Sequence, residues 1–418
     1  MGSVRAPESR EDFKVAVICA LPIEVDAVEA LYDECWDDQG IEYGKAANDT
    51  NAYTTGRLGR YNIVLVHMPG IGKGHAASVA ASLRSSFTRI QLALLVGICG
   101  VVPYGANGEE IIFGDVVISE GVVQYDLGRR NPDGFLRKDT PRDSLARPIQ
   151  EIRSMLAKLK SRRVWQKLQE RMLQHYNVVS DKLGTDYPGI KEDQLFPSTY
   201  RHKHQDPAVC ELCGNCRGKD DVVCAESRKL DCQTLNCSQD QSVLRKRHAH
   251  VLKSGKVPDP VVHFGLIASA DTVLKSAEDR DDLSTKENVI AFEMEAAGIW
   301  DNLPCVAVKG ACDYADSHKS KTWQKYAAAN AACCTKALLE QWVIDEDLVS
   351  SEHRLSGFEY QWPSDIEGRE KGSRKPAFMI PFDRDEDFIG RSDTLDDVER
   401  SLVRSQRRVV LSGIGGVG

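Results

Sequence analysis

The 418 residues are 42% hydrophobic and 28% charged, a globular balance that excludes a fibrous or wholly disordered chain. The net charge of −8 argues against a broad basic surface for nucleic acid. No apolar run reaches the roughly 18–20 residues of a membrane span, and residues 1–12 lack a secretory core, so a cytoplasmic chain with its 13 cysteines reduced is expected.

Residues 13–20 form a short apolar run fit for a buried strand. Pro22 then opens a helical pattern carrying Val25, Val28, Ala30 and Leu31, and proline suits a first helical turn. Residues 53–58 and 61–67 read as a hairpin about Gly59-Arg60. The turn Gly70-Ile71-Gly72-Lys73-Gly74 leads into a helix over 76–86. A buried strand over 92–96 ends at Gly97-Ile98-Cys99-Gly100, and 115–119 is another strand. From about 127 to 258 the chain turns polar, with a charged helix over 149–176 and a loop of six cysteines; this stretch reads as an insertion. The core pattern returns with a strand over 261–269, a helix over 292–303, a strand over 304–309 and a long helix over 322–343. Such alternation of apolar strands and helices predicts an α/β fold, a largely parallel sheet covered by helices on both faces.

Residues 345–383 are charged and proline- and glycine-bearing, and read as a linker. Beyond them come a predicted helix over 394–405, a strand over 408–411 and the glycines Gly413, Gly415, Gly416 and Gly418. A strand followed by a glycine-rich loop is the setting of a phosphate-binding loop. The chain stops where that loop's lysine and hydroxyl residue should follow, so nucleotide binding there is expected to fail. The expected division is 1–344 for the α/β domain, 345–383 for the linker and 384–418 for the opening of a P-loop domain.

Two places concentrate carboxylates. Phe292-Glu293-Met294-Glu295 sets two acids among apolar and small residues, and buried carboxylates need partners, which a ligand with two hydroxyls supplies. Asp313 follows the strand pattern ending near Lys309, and ligands in open α/β sheets bind at the carboxyl ends of strands. Burial favours the protonated form of such an aspartate, which suits a general acid; helix capping is the bland alternative.

Together, Ala20-Leu21-Pro22-Ile23-Glu24, Gly70-Ile71-Gly72-Lys73, Gly97-Ile98-Cys99-Gly100, Ile267-Ala268-Ser269-Ala270-Asp271, Phe292-Glu293-Met294-Glu295 and Lys309-Gly310-Ala311-Cys312-Asp313 resemble the nucleoside phosphorylase and nucleosidase superfamily. The version at the N-terminus of fungal NOD-like receptors is the most similar, and there an NB-ARC/NACHT-type nucleotide-binding domain would follow. The resemblance implies a three-layer fold with a central mixed, mostly parallel sheet. It implies Asp313 as the acid that protonates a purine and Glu295 as the acceptor of ribose hydroxyls. Met294, Glu293, Phe292, Cys99, Gly100, Val273, Gly72 and Lys73 would complete the substrate site. It also implies a homo-oligomer, a dimer favoured, with no cofactor, nucleic acid or membrane partner.

Within that resemblance the choice between phosphorolysis and hydrolysis turns on two positions. Leu95 stands where a phosphorylase carries a phosphate-binding arginine, and leucine cannot replace a guanidinium. Glu24 matches the nucleosidase glutamate that activates water. The expected function is therefore hydrolysis of a purine nucleoside or nucleotide, adenine favoured, to base and ribose or ribose phosphate. ATP as substrate and an immune effector role extend that expectation. A phosphorylase and a non-catalytic nucleoside sensor are the alternatives. Lys73, Lys309, Lys319 and Lys321 are candidates to face phosphates. In the cysteine loop, Cys210, Cys213 and Cys216 have compact spacing near His202 and His204; free thiols are the reading adopted, with structural zinc as the alternative.

Overall fold

The computed structural model describes residues 5–343. The predicted linker, the helix over 394–405 and the P-loop segment lie outside the described residues. In chain order the strands are β1 (Val15–Cys19), β2 (Glu34–Cys35), β3 (Ala52–Leu58), β4 (Tyr61–His67), β5 (Leu92–Val101), β6 (Val116–Gln124), β7 (Gly128–Asn131), β8 (Gly134–Arg137), β9 (Val262–Ser269), β10 (Val289–Glu293) and β11 (Cys305–Asp313). The helices are α1 (Pro22–Glu29), α2 (Lys73–Ser86), α3 (Gln150–Leu159), α4 (Arg162–Leu183), α5 (Glu211–Asn215), α6 (Lys246–Ser254), α7 (Ala277–Glu287), α8 (Ala296–Ile299) and α9 (Gln324–Gln341).

Nine strands form one mixed sheet in the order β10-β9-β6-β11-β5-β1-β4-β3-β2, and β7 and β8 make a separate hairpin. β1 lies parallel between β4 and β5 and is buried at every residue, which is why its sequence is apolar throughout rather than alternating. β5 is long enough to pair twice. It runs parallel to β11 and, at its far end, antiparallel to β10, with Phe292 opposite Gly100 and Ala291 opposite Val101. That second pairing curls one end of the sheet and brings the ends of β5, β10 and β11 to one place.

α9 is almost wholly buried, and its alanine- and cysteine-rich middle explains how. Alanine is the best helix former, and small side chains allow close approach to the sheet. At Gly310 a Cβ would lie 2.0 Å from the carbonyl oxygen of Ala327, so β11 needs glycine there.

Several predicted boundaries change. β10 runs to Glu293 and only Ala296–Ile299 is helical, in place of one helix over 292–303. Val289, Ile290, Ala291 and Phe292 are buried in the sheet, and so short an apolar run fits either element. β11 continues to Asp313, four residues past its predicted end. The charged helix divides at Ser161, and its second part, α4, buries Leu168, Met172 and Val179 in the core shared with α9. α4 thus packs on the core, and its contact with α9 is also polar: Arg171 and His175 both pair with Glu340. Among the described residues no helix is long and apolar enough to cross a membrane.

Candidate active site

Gly100 is the hub. It pairs with Phe292 of β10 on one side and with Asp313 of β11 on the other. A Cβ at Gly100 would stand 2.7 Å from the Asp313 Oδ1, so only glycine lets the carboxyl sit against β5. Around this junction opens a cavity of about 270 Å³ lined by Glu24, Cys99, Gly100, Glu295 and Asp313, with Phe292, Glu293 and Met294 along one wall and Val273 at an exposed edge.

Glu24 stands in the first turn of α1, opened by Pro22. Its carboxylate accepts the N–H groups of Ala20 and Leu21, each at 2.9 Å, and of Ile98 at 2.8 Å. A Cβ at Gly97 would fall 2.1 Å from its Oε1, which accounts for the glycine beside Ile98. Burial raises the pKa of Glu24, and the raising prevails although Lys309 and the backbone donors oppose it.

Lys309 lies beneath the cavity on β11, 1% exposed. Its Nζ is 3.3 Å from Glu295 Oε2 and 3.6 Å from Glu293 Oε2. Burial alone would depress this lysine, but Glu295, Glu293 and Glu24 outweigh it and hold the ammonium well above the usual lysine range. The Glu293 carboxylate caps the turn before α8 by accepting the N–H groups of Glu295 and Ala296. It thereby positions Glu295, whose Oε1 also accepts the Gly72 N–H at 3.3 Å. Glu293 is fully occupied with this scaffold, whereas Glu295 retains lone pairs toward the cavity.

Asp313 Oδ1 accepts the Ala315 N–H at 2.8 Å, and Oδ2 lies 3.2 Å from Lys319 Nζ. The Cys312 thiol donates toward the same Oδ2 at 3.5 Å. Of the four lysines proposed to face phosphates, Lys309 is sequestered and Lys319 is paired with Asp313. Lys73 is paired with Asp126 at 2.5 Å and stands outside the cavity lining, and Lys321 is exposed. Lys73 therefore does not join the site, although Gly72 beside it does through its N–H. The positioning lysines and the amide cradle of Glu24 escaped sequence reasoning, since each depends on pairing between distant strands. Glu24 three residues after Leu21 was the one available hint, an acid placed to reach back to the backbone at a helix start.

The cysteines also fall into place. Cys210 and Cys213 come together with Cys224, while Cys216 stays outside that group, in a small apolar cluster with Val223.

Residues 14–178 match the model of the Phosphorylase superfamily. Over those residues the chain is similar to that superfamily. The matched residues include Glu24, Gly72, Cys99 and Gly100, and the structure adds Glu295 and Asp313 from the C-terminal side. The whole chain is 30% identical to a nucleotide-binding leucine-rich repeat (NLR)-like protein of Hyaloscypha variabilis, over 428 residues. The chain spans only 36% of that relative's length. Among solved structures, a futalosine hydrolase of Helicobacter pylori is similar at 15% identity and TM-score 0.46, covering 80% of this chain and 100% of its own. A 5′-methylthioadenosine/S-adenosylhomocysteine nucleosidase of Neisseria meningitidis is similar at 17% identity and TM-score 0.45, covering 78% and 99%.

Proposed function

We propose that this cavity hydrolyses the N-glycosidic bond of a purine nucleoside or nucleotide. The observation that carries the reading is the convergence of three differently held carboxyl groups, Glu24, Glu295 and Asp313, on one cavity at the carboxyl end of β11. Asp313 acts as general acid toward a purine ring nitrogen, and the base departs with the electron pair of the broken C–N bond. The Lys319 ammonium at 3.2 Å steadies the carboxylate left behind. Glu295 accepts hydrogen bonds from the ribose hydroxyls, fixing the sugar as it becomes electron-poor. Glu24 takes a proton from the water whose oxygen forms the new bond at the anomeric carbon. Its raised pKa is what a general base at mild pH requires.

Hydrolysis is favoured over phosphorolysis because Lys319 is the one cationic side chain among the described lining residues, and it is paired. The walls that would flank an attacking phosphate bring Glu24, Glu293 and Glu295, which repel that nucleophile. In the finer form of the proposal the base is adenine, the substrate extends to ATP, and the chain is a cytoplasmic, dimeric effector domain. The NLR-like relative supports the effector role. The test is chromatography of adenosine, inosine, guanosine, AMP and ATP after incubation with the protein. Free base from a purine substrate, absent with Asp313→Asn, is the expected result. No release from any of the five, or equal release by the variant, overturns the reading.

A further inference from the structure

We propose that His202, Cys232, Cys237 and His318 bind a structural zinc ion that ties the cysteine-rich segment to the loop carrying Asp313. One ligand atom from each of the four lies within 4.8 Å of every other. Tetrahedral zinc with two thiolates and two imidazoles requires ligand atoms about 3.3–3.8 Å apart, so the group closes on the ion with small side-chain movements. Two sulfurs and two ring nitrogens in that arrangement select zinc among common divalent ions, and two thiolates neutralise its charge.

The surroundings are built for a ligand histidine. His318 Nε2 donates to the Tyr200 carbonyl at 3.1 Å, which leaves Nδ1 as the free lone pair, 3.4 Å from Cys232 Sγ. Ligand imidazoles are generally oriented in this way, by a carbonyl on the ring nitrogen that does not bind metal. Phe196 packs on the His318 ring at 4.3 Å, and His202 meets it edge-on at 4.9 Å and 86°. The Cys237 N–H donates to the Cys232 carbonyl at 2.9 Å, folding the two cysteines into one turn.

Three ligands come from the segment after α4 and the fourth from the loop after β11. His318 sits between Asp313 and Lys319, both of which line the cavity. The ion would therefore clamp that loop. This inference stands apart from the proposed reaction, since it rests on the ligand geometry alone. The thiols Cys210, Cys213 and Cys224 form a separate group of three, one ligand short of a closed site among the described residues.

The experiment is metal analysis of the full chain, purified anaerobically without chelator and reconstituted with zinc. We expect the Cys232→Ser/Cys237→Ser variant to hold one zinc equivalent per chain less than wild type. Cys210→Ser/Cys213→Ser should retain that equivalent, and its cobalt(II) form should show the d–d and thiolate charge-transfer bands of a tetrahedral site. In wild-type protein, chelation should raise amide exchange in residues 313–319 at least tenfold, a readout that does not depend on the variants folding. Equal zinc in wild type and the Cys232→Ser/Cys237→Ser variant, a Cys232–Cys237 disulfide in the anaerobic protein, or unchanged exchange on chelation would overturn the proposal.

Discussion

Replacing Lys309 by methionine removes the one ammonium held among Glu24, Glu293 and Glu295 while nearly preserving the side chain's length. Lys309 is 1% exposed, with Glu295 and Glu293 at 3.3 and 3.6 Å. Breaking a buried pair by removing one partner costs about 3–5 kcal/mol, because the remaining charge loses its compensation without regaining water. Against a total stability of about 5–15 kcal/mol the variant should be markedly weakened at neutral pH. The loss should depend on pH in a definite direction. Burial already holds Glu24 and Glu293 above the usual glutamate value of 4.5, and losing Lys309 raises them further. A carboxyl whose folded pKa is raised binds more protons folded than unfolded, so its contribution is fully present below about 4.5 and lost as pH rises through the folded value. The deficit of Lys309→Met should thus be smallest near pH 4.5 and reach its full size above the raised values. Urea unfolding followed by tryptophan fluorescence at several pH values measures it. Adding Glu295→Gln should recover part of the loss. A pH-independent deficit below 1 kcal/mol would refute the idea that Lys309 compensates the buried carboxylates.

Three further outcomes are expected. The kcat/KM of base release should fall as pH drops through the folded pKa of Glu24, with a midpoint above 4.5, and Glu24→Gln should lack that limb; a profile unchanged by the substitution would remove Glu24 as the base. Glu295→Gln should lower turnover of ribonucleosides by about 10²-fold, and of 2′-deoxyribonucleosides by less, because the deoxy sugar lacks one hydroxyl partner; equal losses would count against that contact. Gly310→Ala places a methyl 2.0 Å from the Ala327 carbonyl oxygen and should cost about 1–3 kcal/mol in thermal unfolding, against no shift if α9 yields freely.

The fold was legible because its central strands are buried on both faces and read as unbroken apolar runs, as in β1 and β5. Boundaries failed where pattern gave no contrast. The helix expected over 292–303 takes in the last two residues of β10, because an apolar run as short as Val289–Phe292 has no period long enough to separate strand from helix. The charged helix expected over 149–176 is two helices, α3 and α4, and in α4 the spaced apolar residues Leu168, Met172 and Val179 suffice to pack an otherwise polar sequence. At the site, motif residues such as Glu24, Gly100, Glu295 and Asp313 were found from the sequence and share one cavity. What was hidden is how they are held. Lys309 and Lys319 looked like surface cations facing phosphates, and only strand pairing shows them paired to carboxylates. The thiols of Cys232 and Cys237 are joined by His318, 81 residues beyond Cys237, a distance no local spacing rule spans.

The most direct test of the central claim is turnover in phosphate-free buffer, repeated with added phosphate, with the sugar product identified in each case. Hydrolysis at this cavity predicts release of base without phosphate, an unchanged rate when phosphate is added, and free ribose or its 5′-phosphorylated form as product. A rate that saturates with phosphate and yields a sugar 1-phosphate would contradict the account.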